Sequence, residues 1–460
     1  MDAATTKIAS PPFAASSVDT RSSWRLAAYA GPSIPISALS IPLLAYIPTL
    51  YATRIGLSLA AIGAIFLVVR LADIGLDPLI GTIMDRGQSR FGRFRPWLAG
   101  GAVPLMAGVL LLFNPPQGAG TLYLALCLAL TYAAYSACYL AHLSWGSTLS
   151  SDYSARSRVF AWWQSGILLG SIIILATPIL LEGTLGFAHD DAVSCMGWLI
   201  AILLPVTVIA ALLFVPEPPA GQQHSEARII DYLKLMARPT IARLLIADLV
   251  IGTAIGMNSA LFFFYFGVVK GASPLEITIL LFLNLCGSLC GAPIWSLLTT
   301  RIGKHRAAAW AFSLYALSLI VIALMPADII FGSVILFLAG LTLSAGPMLL
   351  RSMMADAGDE EYLRSGYDRT GLLSALFSGT NKLGLAMAPG LTFLGLGAAG
   401  FQPAGVNGAG AINMLIALYV VTPALLGLLT AWVISAHKLT AEKHADICAM
   451  LDRMRAAAPS

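Results

Sequence analysis

The stretch Leu57–Trp97 reads LSLAAIGAIFLVVRLADIGLDPLIGTIMDRGQSRFGRFRPW. Its first part, to about Met84, is apolar enough and long enough to cross a bilayer as a helix. Arg70, Asp73 and Asp77 nevertheless lie near the middle of this part. Because an α-helix turns about 100° per residue, the three side chains fall within about 60° of one another, on one face. A charge at the centre of a transmembrane helix costs roughly 2.5–3.5 kcal/mol on insertion scales, so this face predicts a functional site inside the membrane.

The composition of the whole chain agrees with a membrane protein. Hydrophobic residues make up 58% of the 460 residues and charged residues only 11%, with a mean hydropathy of +0.82. Soluble domains carry roughly 25% charged residues. The basic residues lie in short connections between apolar segments, which excludes nucleic-acid binding. No spacing of nucleophile and base, set of metal ligands or phosphate-binding loop is present, so we expect neither an enzyme nor a cofactor.

The apolar segments number twelve, each near the length of about 20 residues that hydrocarbon thickness requires. They predict an all-α polytopic membrane protein with two six-helix halves. The predicted spans are residues 26–52, 57–84, 97–114, 120–148, 158–181, 194–215, 240–268, 273–298, 306–325, 328–354, 370–397 and 411–436. The predicted organisation is a tail at 1–25, a first half at 26–216, a linker with an amphipathic segment at 217–239, a second half at 240–436 and a tail at 437–460.

Lysine and arginine predict the orientation of these spans. They concentrate in every second connection, beginning with the one after the second span, and in both tails, whereas the remaining connections contain only Arg54 and Lys270. Because basic residues favour the cytoplasmic side, both termini are predicted to be cytoplasmic. In a bacterium the membrane would be the inner cell membrane.

The two halves repeat weakly. The connection DRGQSRFGR at 85–93 has a basic counterpart in TRIGKHR at 300–306, and SSDYSARSR at 150–158 has a counterpart in ADAGDEEYLRSGYDR at 355–369. Paired six-span halves of this kind suggest a major facilitator fold with the substrate site between the halves, near the bilayer midplane.

The charged connections also predict a cytoplasmic gate, in which ion pairs close that side and break when it opens. The alternative is that these residues are solvated and serve topology alone. The predicted gate residues are Asp85, Arg86, Arg90, Arg93, Asp152, Arg156, Arg158, Asp356, Asp359, Glu360 and Arg369.

Several of these segments carry a family signature. Gly81-x-x-x-Asp85-Arg86 resembles the loop 2–3 motif of major facilitator transporters. Residues 70–81 and 89–97 together resemble, more specifically, the glycoside–pentoside–hexuronide cation symporters of that superfamily. Further resemblance lies in Ser151–Arg158, Met354–Glu360 and Asn381–Gly384.

The resemblance implies roles for residues that match the family pattern. Asp73 and Asp77 match helix 2 carboxylates that bind the coupling cation, Arg70 matches the helix 2 arginine, and Lys382 matches a helix 11 lysine that interacts with that site. Trp145 matches a helix 4 tryptophan beside the sugar.

Four positions depart from the family pattern. The helix 4 aspartate falls on Ala141, the helix 1 aspartate near Ser37, the helix 5 arginine near Gly166 and a helix 4 hydroxyl on Cys138. The charged sugar ligands are therefore missing. Amides, hydroxyls and aromatic rings, which suit neutral polar solutes, remain as candidates. The predicted substrate contacts are Trp145, Gln164, Asn258, Tyr265 and Asn381.

The four intramembrane charges, Arg70, Asp73, Asp77 and Lys382, sum to zero. Two carboxylates about 6 Å apart along one helix face will titrate as a coupled pair. They could bind H⁺ or Na⁺. Because sodium prefers several hard oxygens and helix 4 offers no carboxylate, the sequence favours proton coupling, or uncoupled transport in which the charges neutralise one another. A purely structural or gating cluster is the alternative.

The leading hypothesis is a monomeric secondary transporter that works by alternating access. It would move a small polar solute, such as a glycoside, with a proton or another monovalent cation. A lysolipid or other amphiphile carrier of the same fold, surrounded by membrane lipid, is a second transporter hypothesis. A receptor or scaffold that transports nothing belongs to a different class and is disfavoured by the retained midplane charges.

Overall fold

The computed structural model describes residues 22–86, 89, 91–149, 153–217, 234–365, 369–403, 405–436 and eight positions between 443 and 453. These residues form helices, with one isolated bridge between Ser89 and Gly92. The long helices are α1 (Ser23–Thr53), α2 (Leu59–Arg86), α3 (Arg95–Phe113), α4 (Thr121–Thr148), α5 (Tyr153–Leu185), α6 (His189–Phe214), α7 (Pro239–Val269), α8 (Pro274–Ile302), α9 (Lys304–Leu324), α10 (Ile329–Ser365), α11 (Thr370–Ala398) and α12 (Ala409–Ser435).

The helices agree with the twelve predicted spans. Eleven of them are long enough and apolar enough to cross a membrane, judged by length and composition within the described residues. The remaining helix, α11, has 29 residues and would extend about 44 Å at 1.5 Å per residue. The predicted all-helical polytopic fold is therefore confirmed.

Helix α1 is irregular because its sequence is rich in proline. It consists of short segments, Ser23–Ala30, Ser33–Ala38 and Ile47–Thr53, with a π-helical turn at Pro42–Tyr46. Proline lacks the N–H group that an α-helix needs in its interior, so the hydrogen-bond pattern shifts along this run. The remaining helices contain at most one internal proline each, and further π-helical turns occur in α7 at Tyr265–Val269 and in α12 at Ala417–Val421.

Packing separates the helices into two sets, which we call the first half (α1–α6) and the second half (α7–α12). The most extensive contacts are α3 with α4 in the first half, and α7 with α11 and α8 with α10 in the second. Three pairs join the halves: α2 with α11, α5 with α8 and α1 with α7. The charged face of α2 thus lies next to the helix that carries Lys382.

The bundle has two chemically different ends. The basic end is the one where α2 ends and α3 begins, and it carries Arg93, Arg158, Arg238 and Arg369. The opposite end is the one where α1 ends and α2 begins.

At the opposite end α2 and α11 approach so closely that side chains are excluded. A Cβ on Gly63 would lie 2.8 Å from the Phe393 Cβ, and one on Gly397 would lie 2.9 Å from the Ala60 Cβ. Nearer the basic end, a Cβ on Gly75 or Gly379 would meet no atom within 4 Å. Glycines thus bring the two helices into tight contact on the opposite-end side of the charged face.

Candidate functional site

The four charges predicted within the membrane come together at the contact between α2 and α11. The Lys382 ammonium pairs with the Asp77 carboxylate, and its Nζ lies 3.9 Å from an oxygen of Asp73. Arg70 lies 3.6 Å from the same Asp73 oxygen, one turn earlier on α2. Lys382 is thus the cation that the second half supplies to the carboxylates of the first half.

Helix α4 completes this charge cluster with two residues that the sequence prediction missed. Ser136 Oγ donates a hydrogen bond of 2.7 Å to Asp73 Oδ1 and lies 3.5 Å from Lys382 Nζ. The guanidinium of Arg70 lies 4.1 Å above the ring of Tyr132, a cation–π contact. Tyr132 and Ser136 are four residues apart and so share one face of α4, which is the signal that could have identified them.

The carboxylates of the cluster are not fully satisfied. Asp73 is 2% exposed, and within the described residues its Oδ2 and the Oδ1 of Asp77 have no hydrogen-bond partner. Buried polar atoms without partners are rare in folded proteins and need an explanation. Two such oxygens beside the Lys382 ammonium could accept a proton or another small cation, which would weaken the pair between Lys382 and Asp77.

The positions that depart from the family pattern serve helix packing. Gly166 on α5 sits directly against the Ser33 hydroxyl, where a Cβ would overlap. Ser37 Oγ donates a 3.0 Å bond to the Ile167 carbonyl, also on α5. Cys138 contacts the Leu98 carbonyl on α3 at 3.8 Å. Close packing of α1 on α5 leaves no room for an arginine at position 166.

The five predicted substrate contacts have different surroundings. Trp145 is fully buried against Tyr29, and Tyr265 is stacked on Tyr419 at 4.1 Å between ring centroids. Asn258 is bonded within the second half, to the Tyr419 carbonyl and the Tyr315 hydroxyl. These three side chains are enclosed by their own half in this conformation, and their role as substrate contacts stays a prediction.

Gln164 and Asn381 occupy more open positions. Gln164 on α5 is exposed, next to the 38% exposed Trp162. Asn381 on α11 is half-buried and donates a 3.4 Å bond to Asp248 of α7. Of the five, these two side chains are the least enclosed by protein.

The predicted gate falls partly outside the described residues. Arg90 and Asp152 lie outside them, and for Asp85, Arg86 and Arg156 the structure describes the helix but not the side chain. Arg158 and Glu360 lie at the basic end, exposed and half-buried respectively.

The remaining gate residues lie in contacts within the second half or at the loop between α2 and α3. Asp356 pairs with Lys304 at 2.7 Å, and Asp359 with His444 at 3.0 Å. Arg369 pairs at 3.2 Å with Glu361, which is 3% exposed and also lies 3.5 Å from Arg238. Glu361 thus pairs with both arginines, whereas the sequence prediction named the adjacent acids Asp359 and Glu360.

A second missed carboxylate, Glu217, holds the loop between α2 and α3. It accepts hydrogen bonds from three successive backbone N–H groups, those of Arg93 at 2.7 Å, Phe94 at 2.9 Å and Arg95 at 3.1 Å. Gly92, at φ +109°, leaves space for this carboxylate, since a Cβ there would overlap with it. The start of α3 is therefore capped by an acid that follows α6, where the helix dipole favours negative charge.

Comparison with known proteins agrees with this architecture. The family model described as MFS/sugar transport protein matches residues 28–441. The inner membrane symporter YicJ of Escherichia coli (strain K12) is 24% identical over 84% of this chain and 85% of its own. A lactose permease of Lactobacillus delbrueckii subsp. bulgaricus is 24% identical over 84% of this chain and 64% of its own.

A solved structure shows the same fold. The nucleoside transporter NupG superposes with a TM-score of 0.65 at 13% identity, over 90% of this chain and 98% of that one. The helices of this chain are thus arranged as they are in that structure.

Proposed function

The chain belongs to the MFS/sugar transport protein family and is a secondary transporter, and we propose that it carries a sugar-like solute together with a proton. The observation that carries the proposal is the pair between Lys382 of the second half and Asp77 of the first. This pair joins the halves at the level where a solute would bind, so a proton on the α2 carboxylates would change the strength of the contact between them.

The oxygen atoms available in the charge cluster favour proton coupling over sodium coupling. Ser136 adds one hydroxyl to the two carboxylates, and the two cations of the cluster already balance the carboxylate charge. Either ion would add one positive charge to the cluster, but a proton needs only one carboxylate oxygen, whereas sodium prefers several hard oxygens at once. We propose that no cofactor besides the coupling ion takes part.

A sugar-like solute is supported by the similarity to the sugar transport family and to the lactose permease, and by the polar, uncharged side chains of Gln164 and Asn381. We propose alternating access between the two halves, with both termini in the cytoplasm, a monomeric state and, in a bacterium, the inner membrane as location. In that orientation the basic end is the cytoplasmic end. The tight contact between α2 and α11 at the opposite end then corresponds to an inward-facing conformation.

The test uses the purified protein in liposomes that enclose a pH-sensitive dye. Lactose, isolated monosaccharides and a lysophospholipid are offered in turn, with and without a proton gradient and with sodium replaced by potassium. We expect acidification of the liposomes with a sugar, independent of sodium, and loss of gradient-driven accumulation in Asp77→Asn. Sodium-dependent uptake, or accumulation that persists at full strength in Asp77→Asn, would refute proton coupling at this site.

An apolar cavity favours amphiphile transport as a second candidate. It has a volume of about 490 Å³ and lies between α2, α3 and α4, with Ile80, Trp97, Pro104 and Leu130 among its lining residues. Such a groove fits an acyl chain better than a sugar. Transport of the lysophospholipid without transport of any sugar in the same liposomes would favour this function.

A further inference from the structure

A second buried carboxylate lies apart from the charge cluster, on α7. Asp248 is 1% exposed and occupies an otherwise apolar run, LLIADLVIG at 244–252. Its Oδ2 accepts a hydrogen bond of 3.0 Å from Thr380 Oγ1, and its Oδ1 accepts one of 3.4 Å from Asn381 Nδ2. Both donors are neutral side chains of α11.

The charge of Asp248 has no direct counter-ion within the described residues. Arg351 of α10 is close enough to act on it electrostatically but is not within ion-pair distance, and Lys382 of α11 pairs with α2. Helix α12 and the Pro42–Tyr46 turn of α1, which also pack on α7, contribute tyrosines, Tyr419 and Tyr46, but no charged residue.

Placing an ionised carboxylate in such surroundings is costly. An asparagine could accept the same hydrogen bond from Thr380 at lower cost. The presence of a carboxylate therefore points to a role that needs its ability to change charge.

The hydrogen bonds around Thr380 allow that change. Thr380 Oγ1 lies 3.0 Å from Asp248 and also 2.9 Å from the Phe377 carbonyl of its own helix. If Asp248 takes up a proton, its new O–H can donate to Thr380 Oγ1 while the threonine hydroxyl donates to the Phe377 carbonyl. The site can thus hold both forms of the carboxylate without leaving a buried donor unpaired.

Asp248 is linked to the charge cluster through one turn of α11. Thr380, Asn381 and Lys382 are consecutive, so the helix presents its polar side chains to α7 and its lysine to α2. Gly384 packs its backbone against α7, where a Cβ would lie 2.8 Å from the Leu249 carbonyl. Because α11 is fixed this tightly to α7, a shift at Asp248 would move the Lys382 backbone as well.

We infer that Asp248 is a second proton-binding carboxylate of the transport cycle, linked through α11 to the pair between Lys382 and Asp77. The inference rests on the proposed proton coupling. One proton is taken from water on one side of the membrane onto an Asp248 oxygen and returned to water on the other side. No bond other than this O–H forms or breaks.

The experiment compares Asp248→Asn with wild type in the liposome assay, once a transported sugar is known. The asparagine retains an oxygen for Thr380 but cannot carry the proton. We expect about half as many protons per solute as in wild type and the loss of one ionisation step from the pH profile of uptake, with sugar binding retained. Thr380→Val removes the hydrogen-bond donor and keeps the Asp248 carboxylate. It should change the pH at which that ionisation step occurs without changing the number of protons per solute.

A purely structural role predicts a different result. Asp248→Asn would then keep the wild-type proton count and pH profile, and this outcome in a folded variant would overturn the inference while leaving the proposed function intact. If Asp248→Asn fails to fold, the number of protons per solute in the wild-type protein becomes the test. A single proton per solute, with proton uptake abolished by Asp77→Asn, would overturn the inference about Asp248. Sugar uptake by wild type without any proton flux would refute the proposed function itself.

Discussion

The two ends of the bundle are built from different interactions. At the opposite end the halves touch directly: the Tyr46 ring lies 4.6 Å from that of Phe263, its hydroxyl donates a 3.1 Å bond to Thr278, and Gly63 and Gly397 bring α2 against α11. At the basic end the contacts described around Glu217, Glu361 and Asp356 each join residues of the same half.

The difference shows how one conformation is held. Apolar packing and a neutral hydrogen bond join the halves on one side of the charge cluster, whereas the charged contacts on the other side lie within each half. The pair between Lys382 and Asp77 stands between these regions. Substitutions that break the link between the halves should therefore have larger effects than substitutions that weaken contacts within one half.

The largest effect should follow removal of the charged link. In Lys382→Ala, Asp77 loses its cation and Asp73 keeps only Arg70, and breaking a buried pair by removing one partner typically costs about 3–5 kcal/mol. We expect a strongly lowered thermal unfolding temperature and no gradient-driven transport. Asp77→Leu combined with Lys382→Met should recover most of the stability but not transport. Recovery of transport in the double variant would show that the pair is only structural.

A somewhat smaller effect should follow overpacking of the opposite end. Gly63→Ala places a methyl group 2.8 Å from the Phe393 Cβ, and overpacking a tight interface typically costs about 1–3 kcal/mol. We expect a lowered unfolding temperature. Gly75→Ala is the matched control, because it lies on the same helix and would meet no atom within 4 Å. Equal effects of the two substitutions would contradict the tight contact between α2 and α11.

Loss of the Glu217 carboxylate should weaken the first half without affecting the charge cluster. Glu217→Ala removes an acceptor from three N–H groups at the start of α3, and loss of a helix cap typically costs about 0.5–2 kcal/mol. The unfolding temperature should fall while the pH profile of transport is unchanged. Asp191→Ala, an exposed acid in the first turn of α6, is the control and should change little. A shifted pH profile of transport in Glu217→Ala would mean that the loop between α2 and α3 affects ionisation in the charge cluster.

The smallest effect should come from the ion pair between Lys304 and Asp356, because Lys304 is 37% exposed. Exposed pairs contribute about 0–1 kcal/mol and are screened by salt. We expect Lys304→Gln to lower the unfolding temperature slightly in low salt and not at all in high salt. A large loss that high salt does not remove would show that the basic end depends on this pair more than its exposure suggests.

How much the sequence could predict differs between the fold and the site. Hydrocarbon thickness and the cost of intramembrane charge act on each segment separately. The twelve spans and the charged face of α2 can therefore be predicted from the sequence. The residues that complete the site come from distant segments. Lys382 is 305 positions from Asp77, and only the family resemblance placed it near α2.

The sequence by itself determined a twelve-helix membrane protein with compensating charges near the midplane. Only the tertiary structure decided which groups meet: Ser136 bonded to Asp73, Glu217 on the backbone of a distant loop, Glu361 between two arginines, and Asp248 held by neutral donors. The physical reason is that hydropathy is a property of each segment, whereas hydrogen-bond partners depend on the rotation and depth at which helices pack. An isolated glutamate such as Glu217 or Glu361 carries no signal of that arrangement.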